Sequence, residues 1–249
     1  MKNSHYHIGI ILVFVFLACL FGCAGGDVKK TQEKIDLEVA MDFQKAGRYD
    51  LALERFQSIR NKYPLSPEAV EAELQIAETY YLAENYIEAL AYFKTFRDLH
   101  PSHKQVDFAA YRIALCNYKQ IPPTIDRDLT PAQKALETFQ EFLDEFPHSK
   151  YAKEIKEKQK SANQQLAEKE MYIAEFYLKR KKYQAAAGRL EEILKKYRNL
   201  GFDEKALYYQ GLCYYHMDKK NQATRVLNSF LSRFPESQFA GQAKELLSK

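Results

Sequence analysis

Two histidines are the first candidates for metal chemistry, because imidazole is the commonest protein ligand for transition metals. His100 and His103 lie close together in the sequence, but they flank Pro101, which interrupts a helix. A structural metal site needs three or four ligands, and no third ligand with suitable spacing accompanies this pair. The sequence therefore predicts no metal site.

Cys116 and Cys213 are the only cysteines beyond residue 23. A disulfide would suit an oxidising compartment. However, each cysteine follows a small residue, Ala114 or Gly211, by two positions. Equivalent positions of stacked helix pairs lie at least about 10 Å apart, which is beyond the Cα separation that a disulfide tolerates. We expect two core thiols.

Catalytic motifs are missing from the sequence. It contains no glycine-rich phosphate loop, no serine elbow and no Cys/His pair in a suitable context. The carboxylates are scattered along charged segments, and the formal net charge of +4 is too small to indicate nucleic acid as a partner. The sequence therefore predicts no enzyme activity, no cofactor and no nucleic-acid binding.

Cys23 is the residue with the clearest chemical role. Residues 8–20 are continuously apolar, which fits the hydrophobic region of a signal peptide and is short for a membrane span. The segment Leu20-Phe21-Gly22-Cys23 resembles a bacterial lipobox. It predicts a signal peptide over residues 1–22 and lipidation of Cys23, with an uncleaved anchor helix as the alternative. Ala24, where retained lipoproteins carry Asp, favours the outer membrane, facing the periplasm.

Internal repeats are the main signal for the fold. Tyr49, Ala52, Phe56 and Pro64 recur 37 residues later as Tyr86, Ala89, Phe93 and Pro101. The third repeat carries a nine-residue insertion between residues 118 and 131. Small residues of the first helices face small residues of the second helices, which lets the helices approach closely. They are Ala40, Ala77, Ala114, Ala174 and Gly211, facing Ala52, Ala89, Ala135, Ala186 and Ala223.

This pattern resembles tetratricopeptide repeats, which bury a continuous core by stacking. It predicts an all-α superhelical solenoid of five helix pairs. Ser66, Ser149 and Ser237 are predicted helix caps. Residues 149–181 lack Gly and Pro and predict a long bridging helix. The predicted organisation is a lipidated flexible linker (23–35), front repeats 1–3 (36–148), and a rear part with the bridging helix, repeats 4–5 and a capping helix (149–249).

A longer ordered set of residues resembles the BamD family, the lipoprotein component of the outer-membrane β-barrel assembly machine. The match runs from about Asp36 to Arg198. Its most specific residues are Asp126-Arg127-Asp128, Phe146-Pro147-His148-Ser149-Lys150-Tyr151, Ala174-Glu175-Phe176-Tyr177, Arg180 and Ala187-Gly188-Arg189.

The resemblance implies a scaffold rather than a catalyst. In that family the front repeats receive unfolded outer-membrane proteins, and the rear repeats bind BamA through its membrane-proximal POTRA domain. Other lipoproteins of the machine are compatible partners. Arg189 matches the arginine of a family Asn-Arg pair implicated in the BamA contact, and Arg180 matches a second family arginine.

The sequence departs from the family at several positions. Gly188 replaces the family Asn, Lys181 replaces a Gly, and Thr95 replaces an Arg. These departures leave the detailed substrate pocket and the accessory lipoprotein contacts unassigned. Apart from them, two alternatives stay open. One is another periplasmic repeat lipoprotein of cell-envelope or pilus assembly, and the other is a lipoprotein enzyme that acts on peptidoglycan.

Overall fold

A computed structural model describes residues 31–249. In this part of the chain all regular elements are helices. In chain order they are α1 Gln32–Lys45, α2 Tyr49–Lys62, α3 Pro67–Leu82, α4 Tyr86–Leu99, α5 Val106–Lys119, α6 Thr130–Glu145, α7 Ala152–Lys179, α8 Tyr183–Lys196, α9 Asp203–His216, α10 Lys220–Arg233 and α11 Ala240–Leu247. The predicted signal peptide and Cys23 lie outside the described residues.

Consecutive helices pack in antiparallel pairs, and α11 covers the last pair. The first helix of a pair also contacts the first helix of a neighbouring pair, as α1 and α3 do. The predicted solenoid of five helix pairs is confirmed. The alanines predicted at the close contacts have almost no exposed surface, as the stacking model requires: Ala40, Ala52, Ala77, Ala89, Ala114, Ala135, Ala174, Ala186 and Ala223.

In four of the repeats, the two helices are joined by the same kind of three-residue turn. The middle one of its three residues has a positive φ: Gly47 (71°), Glu84 (61°), Lys181 (57°) and Asp218 (56°). The left-handed region is unfavourable for residues with a Cβ. A Gly, which the family has at the position of Lys181, would adopt this conformation without strain, whereas Lys181 adopts it at a cost in free energy. In the third repeat the insertion replaces this turn.

The bridging helix α7 is 28 residues long, or about 42 Å. Ala152, Ile155 and Ala162 complete the core formed with α5 and α6. Met171 and Ala174 belong to the core formed with α8 and α9. The helix is therefore shared by the front and rear repeats, which makes one continuous rod.

The insertion of the third repeat is tied to α7. Gln165 Nε2 donates to the carbonyl oxygen of Pro122 (3.2 Å), and Lys169 Nζ donates to that of Arg127 (2.6 Å). Asp128 Oδ1 accepts from the backbone N–H of Thr130 (3.0 Å) at the start of α6. The Asp-Arg-Asp string thus shapes the entry into α6 and fixes the loop against the bridging helix.

The predicted helix starts need two corrections. Ser66 caps α3, because its Oγ accepts from the N–H of Ala69 (3.0 Å). The cap prediction is wrong for Ser149 and Ser237, since α7 and α11 begin three residues after them. These hydroxyls donate to Asp107 (2.8 Å) and Glu204 (2.6 Å) on the preceding repeat's first helix. Each also accepts from the backbone N–H two residues later, that of Tyr151 (3.3 Å) or Phe239 (3.1 Å), in the turn before the helix.

The second correction concerns α1, which begins at Gln32 and so includes residues predicted as linker. Gln32 Nε2 donates to Asp36 Oδ1 (2.7 Å) across the first turn. Tyr63 Oη donates to the other oxygen of that carboxylate (3.1 Å). These bonds to α1 and to the end of α2 stabilise the additional turn.

Candidate protein-binding site

Arg189 lies on α8 and faces the bridging helix. Its Nη1 donates to both carboxylate oxygens of Glu170, at 3.1 and 3.3 Å. The side chain of Arg189 is 45% exposed, and that of Glu170 is 19% exposed. In the described part of the chain, no acceptor bonds to Nε or Nη2 of Arg189. A planar edge of the guanidinium is therefore held in place and open to a carboxylate from outside.

Arg180 follows the last residue of α7. Its guanidinium lies over the ring of Phe176, 3.6 Å from the ring centroid. Phe176 and Tyr172 are among the exposed large apolar side chains. Tyr172, Phe176 and Arg180 are spaced by four residues, so they share one face of α7. We call this set the aromatic stripe.

The structure does not bring Arg180 and Arg189 into one pocket. Glu170, which pairs with Arg189, precedes Arg180 by ten residues, or about 15 Å along α7. The aromatic stripe occupies part of that interval. The two arginines can therefore contact the same partner only if it extends over a surface of this length.

Gly188 has free space around it. A Cβ built at this position meets no atom within 4 Å. The first side-chain carbon of the family's Asn therefore meets no steric obstacle next to Arg189. Because Gly weakens a helix interior, it has no visible structural advantage at this position.

The front repeats contain a second Arg–Glu pair in very different surroundings. Arg112 on α5 pairs with Glu78 on α3, and the side chains are only 17% and 13% exposed. The guanidinium lies 4.1 Å from the ring centroid of Tyr81 and 5.1 Å from that of Phe108. Burial raises the pKa of Glu78, and the charge of Arg112 opposes this shift. The pair has a structural role between repeats 2 and 3, and no sequence spacing indicated it.

The other residues singled out in the sequence have structural surroundings. Cys116 and Cys213 are free thiols with no exposed surface, which confirms the core prediction, and this burial raises the pKa of each to about 12. His100 Nε2 lies 2.7 Å from Glu73 Oε2, and His103 packs edge-on against Phe96. Within residues 31–249, no three His, Cys, Asp or Glu side chains are grouped as metal ligands would be.

None of the helices in the described range has the length and apolar character needed to cross a bilayer.

Comparison with known proteins identifies the family of this chain. The profile of the YfiO family, described as outer membrane lipoprotein, matches residues 33–227. The chain belongs to this family. The match covers all five helix pairs except the first residue of α1 and the end of α10.

Individual relatives agree with the family match. The chain is 30% identical over 235 residues to the outer membrane protein assembly factor BamD of Neisseria gonorrhoeae, covering 89% of this chain and 88% of the relative. It is 25% identical over 244 residues to BamD of Caulobacter vibrioides, covering 96% and 80%. Among solved structures it is similar to the TPR2AB-domain:pHSP90 complex of yeast Sti1, with 15% identity, coverage of 82% of this chain and 78% of that chain, and a TM-score of 0.45.

Proposed function

We propose that this protein is a non-catalytic scaffold for the assembly of β-barrel proteins in the outer membrane. The observation that carries the proposal is the family match over residues 33–227, which includes both the front and the rear repeats. Relatives that match most of this chain are named outer membrane protein assembly factor BamD. Lipidation of Cys23 would attach the scaffold to the outer membrane on the periplasmic side.

The rear repeats are the proposed binding region for BamA, through its membrane-proximal POTRA domain. Arg189 supports this assignment because Glu170 orients its guanidinium and leaves Nε and Nη2 open to a carboxylate of the partner. The aromatic stripe adds exposed apolar area, and Tyr and Arg are enriched at interfaces of this kind. The proposed contact is an extended surface on α7 and α8 rather than a closed pocket.

The front repeats are proposed to receive unfolded outer-membrane proteins. Stacked repeats offer a long surface that suits an extended peptide. Because Thr95 replaces a family Arg, no detailed peptide pocket is carried over from the family. We therefore propose that the front repeats bind extended peptides, and we assign no specific residues to this contact. Contacts with further lipoproteins of the machine are part of the same proposal.

The test is purification of the chain at its native level in mild detergent, with partners identified by mass spectrometry. The unmodified chain should retain BamA, and Arg189→Glu should retain much less. Arg55→Glu is the matched control, because Arg55 is exposed and occupies the seventh position of α2, as Arg189 does in α8. It should retain BamA normally.

Two other outcomes would change the proposal. Retention of BamA by all three proteins would support membership of the assembly machine but would show that Arg189 is not essential for the BamA contact. Absence of BamA from all three, with other envelope proteins recovered instead, would contradict the proposal and favour a scaffold of another envelope or pilus system.

A further inference from the structure

One edge of the front repeats exposes two leucines. Leu65 lies in the loop between α2 and α3 and is 99% exposed, and Leu99 ends α4 and is 63% exposed. We propose that the leucine edge, formed by Arg60, Leu65 and Leu99, rests on the phospholipid surface in which the lipid anchor is embedded. This inference depends on the anchor at Cys23 proposed above.

The repeats themselves show that these leucines are unusual. Leu65 follows the proline after a second helix, and the corresponding residues of other repeats are polar: Ser102, His148 and Glu236. Leu99 is the last residue of a second helix, and the corresponding residues are all charged: Lys62, Glu145, Lys196 and Arg233. Stacking of repeats therefore does not require an apolar residue at either position.

The leucine edge lies on the same side of the solenoid as the start of α1, which follows Cys23 in the sequence. Tyr63 and Lys62, at the end of α2, both contact the carboxylate of Asp36 in the first turn of α1, at 3.1 and 3.7 Å. The start of α1 and the loop with Leu65 are therefore neighbours. Eight residue steps separate Cys23 from Thr31, and they span at most about 28 Å. A lipid on Cys23 would keep this edge close to the bilayer.

The side chains at this edge suit an interface between lipid and water. A groove of about 200 Å³ lies beside Leu99, and its lining includes Tyr92, Phe96 and Arg60. Within residues 31–249, Arg60 has no hydrogen bond or ion pair, so its guanidinium is available to a phosphate group. An apolar contact flanked by a cation is typical of segments that lie in the headgroup region.

The opposite edge provides the matched comparison. Ile87, near the start of α4, is 70% exposed, and it lies about 18 Å from Leu99 along the same helix. Exposure of an apolar side chain is therefore common to both edges. Only the leucine edge adjoins the start of α1, so the proposal predicts that only this edge meets lipid.

The chain has no tryptophan, so a single introduced Trp reports on one position. The full lipidated chain, carrying Leu65→Trp, Leu99→Trp, Ile87→Trp or Glu236→Trp, would be reconstituted in phosphatidylethanolamine–phosphatidylglycerol vesicles with or without brominated acyl chains. Bromine should quench the fluorescence of Leu65→Trp and Leu99→Trp by roughly twofold, because the indole enters the apolar boundary. Ile87→Trp and Glu236→Trp should be unaffected.

Each contrary result has a distinct meaning. Failure of the unmodified chain to float with the vesicles would refute the anchor and with it the leucine edge. Retention without quenching of Leu65→Trp and Leu99→Trp would refute the leucine edge alone, as would equal quenching of Ile87→Trp. A change at Leu65→Trp that occurs only after purified assembly partners are added would identify a protein-binding surface instead of a lipid contact.

Discussion

The front and rear repeats each contain an Arg–Glu pair that joins two helices, and the surroundings of the two pairs differ. Arg112 and Glu78 are largely buried under aromatic rings. Glu170 is also mostly covered, but Arg189 is nearly half exposed, and part of its guanidinium has no partner in the described residues. The difference teaches that the same two residue types can form a buried contact between repeats at one place and leave a guanidinium edge open to solvent at another. Burial decides which role applies.

The largest effect should come from breaking the buried pair. Glu78→Ala should reduce the free energy of unfolding by about 3–5 kcal/mol, because Arg112 would remain buried without its carboxylate. Urea denaturation would measure the change. Glu170→Ala, the equivalent truncation in the rear repeats, should cost less than about 1 kcal/mol, because the Arg189 that it leaves unpaired is accessible to water.

The double variant Glu78→Met/Arg112→Met is the control for this prediction. It removes both charges and should recover most of the stability that Glu78→Ala loses, since apolar replacement of a buried pair is often neutral. Similar losses for Glu78→Ala and Glu170→Ala would contradict the assigned difference between the two pairs.

A smaller effect should distinguish packed from open positions within the rear repeats. Gly211 lies against Leu227, and an added Cβ would be 2.5 Å from Leu227 Cδ2. Gly211→Ala should therefore destabilise the chain by about 1–3 kcal/mol. Gly188→Ala has free space and should stabilise it by about 0.5–1 kcal/mol. Thermal unfolding of both variants would show whether the signs are opposite, and equal signs would contradict the packing described.

The smallest effect should be the same in both halves. Glu84 and Lys181 occupy the left-handed position of equivalent turns, at φ values of 61° and 57°. Glu84→Gly and Lys181→Gly should each stabilise the chain by up to about 1 kcal/mol, because Gly adopts this conformation without strain. Chemical denaturation would measure both. Destabilisation of either variant would show that the side chain makes a contact that outweighs the strain.

The features predicted from the sequence are those that recur with a fixed spacing. The small residues at helix contacts, such as Ala52 and Ala89, repeat every 37 residues because each repeat meets the same packing constraint. The burial of Cys116 and Cys213 followed from their position relative to that pattern. The bridging helix followed from a segment without Gly or Pro.

Features that occur once could not be predicted in this way. Glu78 and Arg112 are 34 residues apart, and neither belongs to the repeat pattern, so only the packing of α3 against α5 reveals their pairing. Ser149 and Ser237 precede helices, as predicted, but the helices begin three residues later than a cap requires. Their hydroxyls donate to Asp107 and Glu204, which belong to another repeat and could not be identified from local sequence. Arg189 was selected as a candidate only because of the family resemblance. The structure adds that Glu170 orients its guanidinium.

The most direct test of the account is the affinity of the purified full chain for the isolated membrane-proximal POTRA domain of BamA, measured by calorimetry. Arg189→Glu should weaken binding by about tenfold or more, because a partner carboxylate would meet a like charge. Arg55→Glu should bind as the unmodified chain does, and all three proteins should unfold at similar temperatures. Equal affinities for the three proteins, or no binding by any of them, would contradict the claim that the rear repeats hold BamA through Arg189.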